Sequence, residues 1–440
     1  MDGSAPRTER AADTEGAVDA ESRTGLLARY AAGTSPRHRG PRAVLAVGVL
    51  LGLGYLAFVL AARPHQLGVD YVVYHTAAAA FLDGQVFYGL TPEGLPEYFR
   101  YVYPPVTILV FAPLALLGGW EVGFIVHTLL TVVAGVGTAW LTVDYLDGAG
   151  VALARLDRLL IGGYAVASVH AMPSLVFGQI NHHLALAVAV GFLALARQRE
   201  ALGGAALGMA AFWKLVPAAL GVWLLARRRV RAVAAATATG LGLLLAGVLA
   251  FGPDTTRAYV ETAVLPRAAD DTFAGGLPAT ETYLTLRRPI SNLLPGVDPS
   301  LYGPLAALVC LPVLAVLYRD VDGRLPWLYG VFGTVAVVLL VFPSFPVYAV
   351  LLTFPLVALL YLFPAGRPRR LFLAGALVSN VSVRYDEVLD ALTILDPPAA
   401  VDAFTRTVLE PLFTLATPPL VGIGLMLGAC VWARRVEQQG

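Results

Sequence analysis

The chain has 440 residues, of which 57% are hydrophobic and only 14% are charged, and its mean hydropathy is +0.70. These values exclude an ordinary water-soluble domain and predict a membrane protein with several crossings. The net charge is +1 and the basic residues form short, scattered clusters, which excludes the basic stripe of a nucleic-acid-binding protein. Cys310 and Cys430 lie in apolar runs, so neither a disulfide nor a cysteine-bound metal is predicted.

Polar and apolar segments follow one another in an order that predicts a tail and then membrane helices. Residues 1–42 hold too few apolar side chains to offset the entropy of ordering, which predicts a disordered cytoplasmic tail. The apolar run 43–62 has no cleavage pattern after it and is interpreted as the first anchor. Because a crossing needs about 20 apolar residues, residues 43–434 predict an all-α polytopic domain of about 12 transmembrane helices. The predicted spans are 43–62, 104–118, 121–143, 159–177, 181–196, 203–226, 232–252, 302–318, 325–342, 346–363, 371–383 and 411–432.

The arginines predict which ends of these spans face the cytoplasm. Basic residues concentrate in cytoplasmic loops, so a cytoplasmic amino terminus with Arg42 places the cluster 227–231 and the arginines at 367–370 on the same side. This threading leaves four arginines outside, against the rule: Arg155, Arg158, Arg197 and Arg199. Three long segments then face outward as extracytoplasmic loops, where function is expected: 63–103, 253–301 and 384–410.

Asp70 is the first candidate for chemistry. It lies a few residues beyond the first span, among apolar and aromatic neighbours at the predicted membrane surface. A carboxylate in such a place can have a raised pKa and act as a general base on a hydroxyl. The alternative interpretation is a solvated acidic residue in an exposed loop.

Lys214 is the only lysine in the chain. It interrupts the apolar run 203–226, and a lysine at the centre of a membrane helix costs about 2.5 to 3.5 kcal/mol to insert. An anionic partner in a cavity would account for it, and a lipid phosphate suits a compact ammonium. Snorkelling, or pairing with a helix carbonyl, is the alternative. Pro217 removes a backbone hydrogen bond nearby and would help to open such a cavity.

Two further motifs bring polar groups into apolar surroundings. Gln179, Asn181, His182 and His183 interrupt one apolar stretch, which predicts a cavity lining or hydrogen bonds between helices. The two histidines are adjacent rather than on one helical face, so no metal site is predicted from them. The Tyr-Pro-Pro sequence at 103–105 is typical of a helix start with an interfacial tyrosine.

Taken together, these segments resemble glycosyltransferase family 87, membrane enzymes of the GT-C class that use polyprenyl-phosphate sugars. The resemblance covers roughly the first half of the chain. It rests on the order and spacing of Asp70-Tyr71 with Tyr74, of Gly84 and Tyr88, of Tyr103-Pro104-Pro105 with Pro113-Leu114, of Gly178-Gln179-Ile180-Asn181, and of Lys214-Leu215-Val216-Pro217. The second half departs from the family, because Tyr348 stands where a histidine is expected and Ser291-Asn292 only loosely matches an Asn-x-Ser pattern. These departures leave the donor sugar and the acceptor open.

The resemblance implies a GT-C-type helical bundle that moves a hexose, with mannose as first choice, from a polyprenyl-phosphate or dolichyl-phosphate carrier to an extracytoplasmic glycan or glycolipid, with inversion. It implies that Asp70 is the catalytic base, while Lys214 and an arginine of the second outer loop neutralise the phosphate. The candidate substrate-binding residues are Tyr74, His75, Tyr103, Gln179, Asn181, Lys214, Arg287, Arg288 and Tyr348. No cofactor is expected, a divalent metal is left open, and no nucleotide-binding fingerprint occurs. The expected location is the cell membrane, with the active site on the extracytoplasmic side.

Two other classes of function fit a polytopic chain. A transporter or flippase of lipid-linked sugars would also use broken helices and buried charges, but it favours several intramembrane ionisable residues and repeat symmetry. A noncatalytic membrane scaffold would leave Lys214 without a role. One buried cation beside large outer segments favours the enzyme.

Overall fold

The structure, a computed structural model, describes residues 36–268, 271–395 and 398–437. Every regular element within these ranges is helical, which confirms the predicted all-α class. Numbered in chain order, the α-helices are α1 (Pro36–Ala62), α2 (Val69–Leu82), α3 (Ile108–Ala115), α4 (Trp120–Asp147), α5 (Arg155–Ala167), α6 (Met172–Phe177), α7 (Asn181–Ala196), α8 (Glu200–Trp213), α9 (Gly221–Ala226), α10 (Val230–Tyr259), α11 (Leu265–Ala268), α12 (Arg287–Leu293), α13 (Tyr302–Leu317), α14 (Arg324–Val341), α15 (Thr353–Leu362), α16 (Arg367–Ser379), α17 (Tyr385–Leu395), α18 (Ala399–Phe404), α19 (Glu410–Leu415) and α20 (Pro418–Glu437). Short 3₁₀ or π turns extend or join them at Pro64–Gln66, Pro105–Thr107, Val216–Leu220, Val260–Val264, Pro299–Leu301, Pro346–Leu352 and Thr405–Leu409.

The first helix begins earlier than the sequence predicted. Because α1 begins at Pro36, residues 36–42 form its first turns and are not part of the predicted disordered tail. A proline is compatible with a helix start, where its missing N–H is not needed. The remainder of the predicted tail, residues 1–35, lies outside the described residues.

Among the described residues, six helices are long and apolar enough to cross a bilayer: α1, α4, α10 with its continuation to Arg267, α13, α14 and α20. Shorter apolar helical segments lie at Pro105–Ala115, Asn181–Ala196, Val216–Ala226 and Pro346–Leu362. These helices make the chain a multi-pass membrane protein. The predicted number of about 12 crossings would require several of the shorter helices to cross as well, and it stays a prediction.

Two contacts show that α1 runs parallel to the α5–α6 pair. At one end, Arg42 donates hydrogen bonds of 2.7 and 2.9 Å to Asp157. At the other end, the Gly68 N–H donates to the Val176 carbonyl at 2.7 Å. The predicted threading had the span 159–177 running in the opposite direction to the first span. That threading is wrong, and α5 begins at the Arg42 end of the bundle.

The predicted span 104–118 is one source of this error. Its regular helix, α3, has only 8 residues, too few to cross a bilayer. The ring of Phe111 in α3 lies 4.6 Å from the ring of Tyr74 in α2, so the two helices pack side by side. Residues 63–119 therefore stay near one end of the bundle until α4 begins.

The predicted span 203–226 is the other source. It breaks at Lys214 into α8 and α9, with Pro217 in the turn between them. Arg229, beyond the end of this run, donates a 2.7 Å hydrogen bond to Glu200, which precedes its start. The run is therefore a helical hairpin rather than a single crossing.

With the threading corrected at 104–118 and 203–226, the arginines lie at one end of the bundle. The four that opposed the positive-inside rule lie at the same end as Arg42, where they or their neighbours form ion pairs: Arg42–Asp157, Arg158–Asp147, Arg197–Asp144 and Arg229–Glu200. The three predicted outer segments meet at the opposite end. Arg63 pairs with Asp390 at 3.5 Å, and the rings of Tyr88 and Tyr259 lie 5.9 Å apart.

Asp157 connects three helices at the arginine-rich end. Besides the two bonds from Arg42, its carboxylate accepts hydrogen bonds from the Tyr361 hydroxyl at 3.0 Å and the Ala154 N–H at 2.9 Å. Burial alone would raise the pKa of Asp157, but the hydrogen bonds from Arg42, Ala154 and Tyr361 outweigh it and hold the pKa below its ordinary value. A lowered folded-state pKa contributes stability above the unfolded value near about 3.9, and that stability is lost as the pH falls below it.

We expect Asp157→Asn to lower the free energy of unfolding by about 3 kcal/mol at neutral pH, because Arg42 then loses its buried partner. Asp147→Asn is the matched control. Its pair with Arg158 is 42% and 45% exposed, so it should contribute less than about 1 kcal/mol. Chemical unfolding in detergent micelles measures the free energy of unfolding of both variants. Equal losses of stability would contradict the stabilising role of the buried Asp157 network.

Candidate active site

Asp70 lies in the first turn of α2, at the end of the bundle away from the arginines. Gly68 precedes the helix with a φ of +71°, a left-handed conformation that glycine adopts without strain. Its N–H bonds to Val176, so the start of α2 is held against the end of α6. The partly exposed Asp70 carboxylate sits near the positive end of the helix dipole, which favours its ionised form.

Gly178 brings Gln179 to Asp70. α6 ends at Gly178, which has a φ of +77° and where an added Cβ would lie 2.6 Å from the Cβ of Tyr71. Only glycine allows the loop to approach α2 this closely. The following residue, Gln179, then donates from Nε2 to Asp70 Oδ2 at 2.6 Å.

We expect Gly178→Ala to lower activity by about 10- to 100-fold, because Gln179 would be displaced from Asp70. Gly84→Ala is the matched control. Gly84 has nearly the same φ, +70°, but no atom lies within 4 Å of its added Cβ. Gly84→Ala therefore adds only the backbone strain of a left-handed alanine, about 1 kcal/mol, and no steric contact. Comparing the catalytic rates and melting temperatures of both variants separates the contact from the strain, and equal loss of activity would contradict this role of Gly178.

Asn181 continues the hydrogen-bonded chain from Gln179. It is the first residue of α7 and is 1% exposed. Its Nδ2 donates to Gln179 Oε1 at 2.5 Å and to Ser174 Oγ at 3.0 Å. Its Oδ1 accepts from Lys214 Nζ at 2.7 Å.

Lys214 lies where the α8–α9 hairpin turns. Its backbone is extended (φ −134°, ψ 129°) and ends α8, so the partly exposed side chain leaves the helix rather than following its surface. The ammonium lies 4.4 Å from the centre of the Tyr348 ring, a cation–π contact. The lysine that the sequence singled out is therefore held by an amide and an aromatic ring at the Asp70 end.

Tyrosines form one wall beside these groups. Tyr74 follows Asp70 by one turn of α2, and its hydroxyl lies 3.0 Å from that of Tyr103. The Tyr103 ring packs on Trp213, 5.8 Å away, immediately before Lys214. The structure thus brings seven of the ten predicted site residues together: Asp70, Tyr74, Tyr103, Gln179, Asn181, Lys214 and Tyr348.

The other three predicted residues lie elsewhere. His75 is one position off the Asp70–Tyr74 face of α2, and its Nε2 is 3.2 Å from the Gly118 carbonyl. Arg288 is fully buried and donates to backbone carbonyls on both sides of it, among them Phe413 at 2.7 Å. Arg287 donates from Nε to the Val341 carbonyl at 2.9 Å. These contacts give Arg288 a structural role instead of the predicted one in binding substrate.

Two residues near the site were missed. Ser174 is fully buried and fixes Asn181, but a serine in an apolar helix gives no signal by itself. His127 of α4 packs 5.3 Å from the Tyr71 ring and 5.9 Å from His183. Within the described ranges, no three His, Cys, Asp or Glu side chains are grouped as a metal site needs.

The surroundings of Asp70 change the basicity of its carboxylate. Burial raises the pKa of the Asp70 carboxyl above its ordinary value, while the hydrogen bond from Gln179 and the charge of Lys214 oppose that rise. A carboxylate with a raised pKa is a stronger base than a solvated one. The arrangement therefore combines a base with a cation for an anionic group.

Comparison with known proteins places these residues in a family. The model of glycosyltransferase family 87 matches residues 101–343, which include Gln179, Asn181 and Lys214 but not Asp70 or Tyr348. No solved structure matches the chain.

Two curated relatives come from Mycobacterium tuberculosis. One is a polyprenol-phosphate-mannose-dependent alpha-(1-2)-phosphatidylinositol mannoside mannosyltransferase, 32% identical over 46% of this chain and 49% of the relative, so the match spans about half of that protein. The other is the corresponding phosphatidylinositol pentamannoside mannosyltransferase, 31% identical over 69% of this chain and 68% of the relative. The family match covers more than half of the residues and confirms the resemblance seen in the motifs. The chain belongs to glycosyltransferase family 87.

Proposed function

We propose that the protein transfers a mannosyl residue from a polyprenyl-phosphate carrier to a hydroxyl of an extracytoplasmic glycan or glycolipid. The observation that carries the proposal is the continuous link Asp70–Gln179–Asn181–Lys214, which has a partly exposed carboxylate at one end and a partly exposed ammonium at the other. A group-transfer enzyme with a phosphate leaving group needs both. The names of the two relatives support mannose as the sugar and a phosphatidylinositol mannoside as the first acceptor to test.

In the proposed reaction, Asp70 removes the proton from the acceptor hydroxyl through Oδ1, since Gln179 occupies Oδ2. The acceptor oxygen forms a bond to the anomeric carbon while the bond from that carbon to the phosphate oxygen breaks. Both bonding electrons leave with the polyprenyl phosphate, and the configuration inverts in this single displacement. Lys214 stabilises the charge that develops on the phosphate, and neutral groups such as Tyr74 and Tyr103 orient the sugar.

The proposed fold is a GT-C-type helical bundle with its site on the extracytoplasmic side. The arginine-rich end supports this orientation, because the positive-inside rule assigns it to the cytoplasm and Asp70 lies at the other end. In intact cells, a membrane-impermeant maleimide should label Asp83→Cys, which lies at the end of α2. It should spare Arg231→Cys at the arginine-rich end until the membrane is permeabilised, and the reverse pattern would contradict the orientation.

The activity is tested with the purified full-length protein in lipid nanodiscs. Radiolabelled polyprenyl-phosphate mannose is supplied with a phosphatidylinositol mannoside acceptor, and polyprenyl-phosphate glucose serves as the comparison donor. We expect labelled mannose in the glycolipid product, with an anomeric configuration opposite to that of the donor. Retained configuration would contradict the single displacement.

A transporter or flippase of lipid-linked sugars gives a different result. In sealed vesicles, it would move the intact labelled donor across the bilayer without forming product. That outcome, or the absence of transfer with both donors and with glycan acceptors, would contradict the proposed enzyme.

A further inference from the structure

The hydrogen-bonded chain between Lys214 and Asp70 has a fixed direction. An ammonium can only donate and a carboxylate can only accept. Lys214 therefore takes the carbonyl oxygen of Asn181, which turns the Asn181 amide NH₂ toward the Gln179 oxygen and the Gln179 NH₂ toward Asp70. Turning over either amide, or both, would set like groups against each other at two of the three junctions. The direction follows from the two charged ends and does not depend on how the amide atoms are assigned.

Asn181 belongs to the interior rather than to a surface that meets substrate. It is 1% exposed, and its side chain is shared among Lys214, Gln179 and Ser174. Gln179, Asp70 and Lys214 are each partly exposed. A buried amide between partly exposed partners joins them and does not itself contact the sugar.

We propose that Gln179 and Asn181 form an amide relay through which the Lys214 ammonium holds Asp70 ionised and in one orientation, which makes Asn181 a positioning residue for transfer. The inference rests on the proposed function, in which Asp70 is the base. Hydrogen bonds in series polarise one another, so the charge of Lys214 strengthens the last bond to Asp70. Asn181 and the Tyr348 side chain use two of the three donors of the ammonium, which leaves one that can bind phosphate.

Lys214 is the charged group that acts on Asp70. Among the described residues, the titratable and charged groups around the start of α2 are Tyr71, Tyr74 and His75 of α2 itself, Tyr103 before α3, His127 of α4, Lys214, and Tyr348 beside it. Tyrosines are neutral at physiological pH, and His75 and His127 face the ring of Tyr71. The relay connects the ammonium to the carboxylate through three hydrogen bonds, in addition to the electrostatic attraction through space.

The test is the pH profile of kcat/KM for the full-length protein in nanodiscs. Asn181→Leu keeps the approximate size of the side chain. It removes the hydrogen bonds of Asn181 to Gln179 and Lys214 without changing the identity of Asp70, Gln179 or Lys214. We expect the midpoint of the acid limb to move to higher pH by roughly one unit, which is a tenfold loss of kcat/KM on that limb. The KM for the lipid donor should change little. Asp83→Asn, which removes an exposed carboxylate at the other end of α2, should keep the wild-type midpoint.

A second variant and a second measurement complete the design. Asn181→Asp still accepts from Lys214 but has no N–H for Gln179, so it should shift the midpoint in the same direction even if Asn181→Leu fails to fold. Infrared titration of the Asp70 carboxyl, assigned by its loss in Asp70→Asn, should show the same shift without any substrate. An unchanged midpoint and infrared titration in the folded Asn181 variants would overturn the relay. An inactive wild-type protein would instead refute the proposed function, while the infrared titration would still test the relay.

Discussion

Asp70→Asn should lower mannosyl transfer by about 10²- to 10⁴-fold while leaving the protein folded. The amide oxygen of asparagine can still accept the hydrogen bond from Gln179, so the local structure is kept. What disappears is the basic oxygen that, in the proposed mechanism, takes the proton of the acceptor hydroxyl. The rate of product formation at saturating donor measures the effect, and a folded Asp70→Asn protein with the wild-type rate would refute the assignment of the base.

The control is Asp83→Asn. Asp83 caps the other end of α2, with an exposed side chain, and carries the same charge outside the site. It should transfer sugar at the wild-type rate.

The pH dependence gives an independent check on Asp70. Because the pKa of the Asp70 carboxyl is raised, the wild-type activity should fall as the pH drops through a value above the ordinary one of about 3.9. The base works only when deprotonated, so the activity recovers as the pH rises. An acid limb with its midpoint at or below the ordinary value would contradict a raised pKa at this site.

Lys214→Met should lower kcat by about 10²- to 10³-fold and also raise the KM for the lipid donor. Methionine keeps an unbranched apolar stem, so it fits the membrane at least as well as lysine. The variant loses the bond to Asn181 and the charge that, in the proposed mechanism, stabilises the phosphate. Initial rates over a donor titration separate the two kinetic constants.

Two companion variants sharpen the result. Lys214→Arg retains the charge, but a planar guanidinium replaces the compact ammonium that contacts the Asn181 oxygen and the Tyr348 ring, so only partial activity is expected. Arg231→Met removes an exposed cation at the arginine-rich end and should leave both constants unchanged. Full activity in Lys214→Met would remove the phosphate partner from the mechanism.

The identities of the central residues could be predicted from the sequence, but not the way they are joined. Asp70 and Lys214 each stood out because a charge lies beside or inside an apolar run. The bond from Gln179 to Asp70 closes a sequence separation of 109 residues, and the bond from Lys214 to Asn181 closes one of 33. Local patterns carry no information about such pairings, which follow from how the helices pack.

The errors have equally physical causes. A hydropathy pattern measures how apolar a run is and does not show whether the chain turns back within it, so the hairpin at 203–226 looked like one crossing. Arg288 looked like a phosphate ligand because arginine binds carbonyls and phosphates with the same donors. Only the fold shows that carbonyls surround it.

The position of the single lysine, Lys214, has a practical consequence for experiments on this protein. Apart from the terminal amine, Lys214 carries the only primary amine in the chain. A small amine-directed reagent that enters from the Asp70 end would therefore modify only one side chain of the protein, without any engineered substitution. The rate of that modification, with and without donor lipid, would report occupancy of the site directly on the wild-type protein.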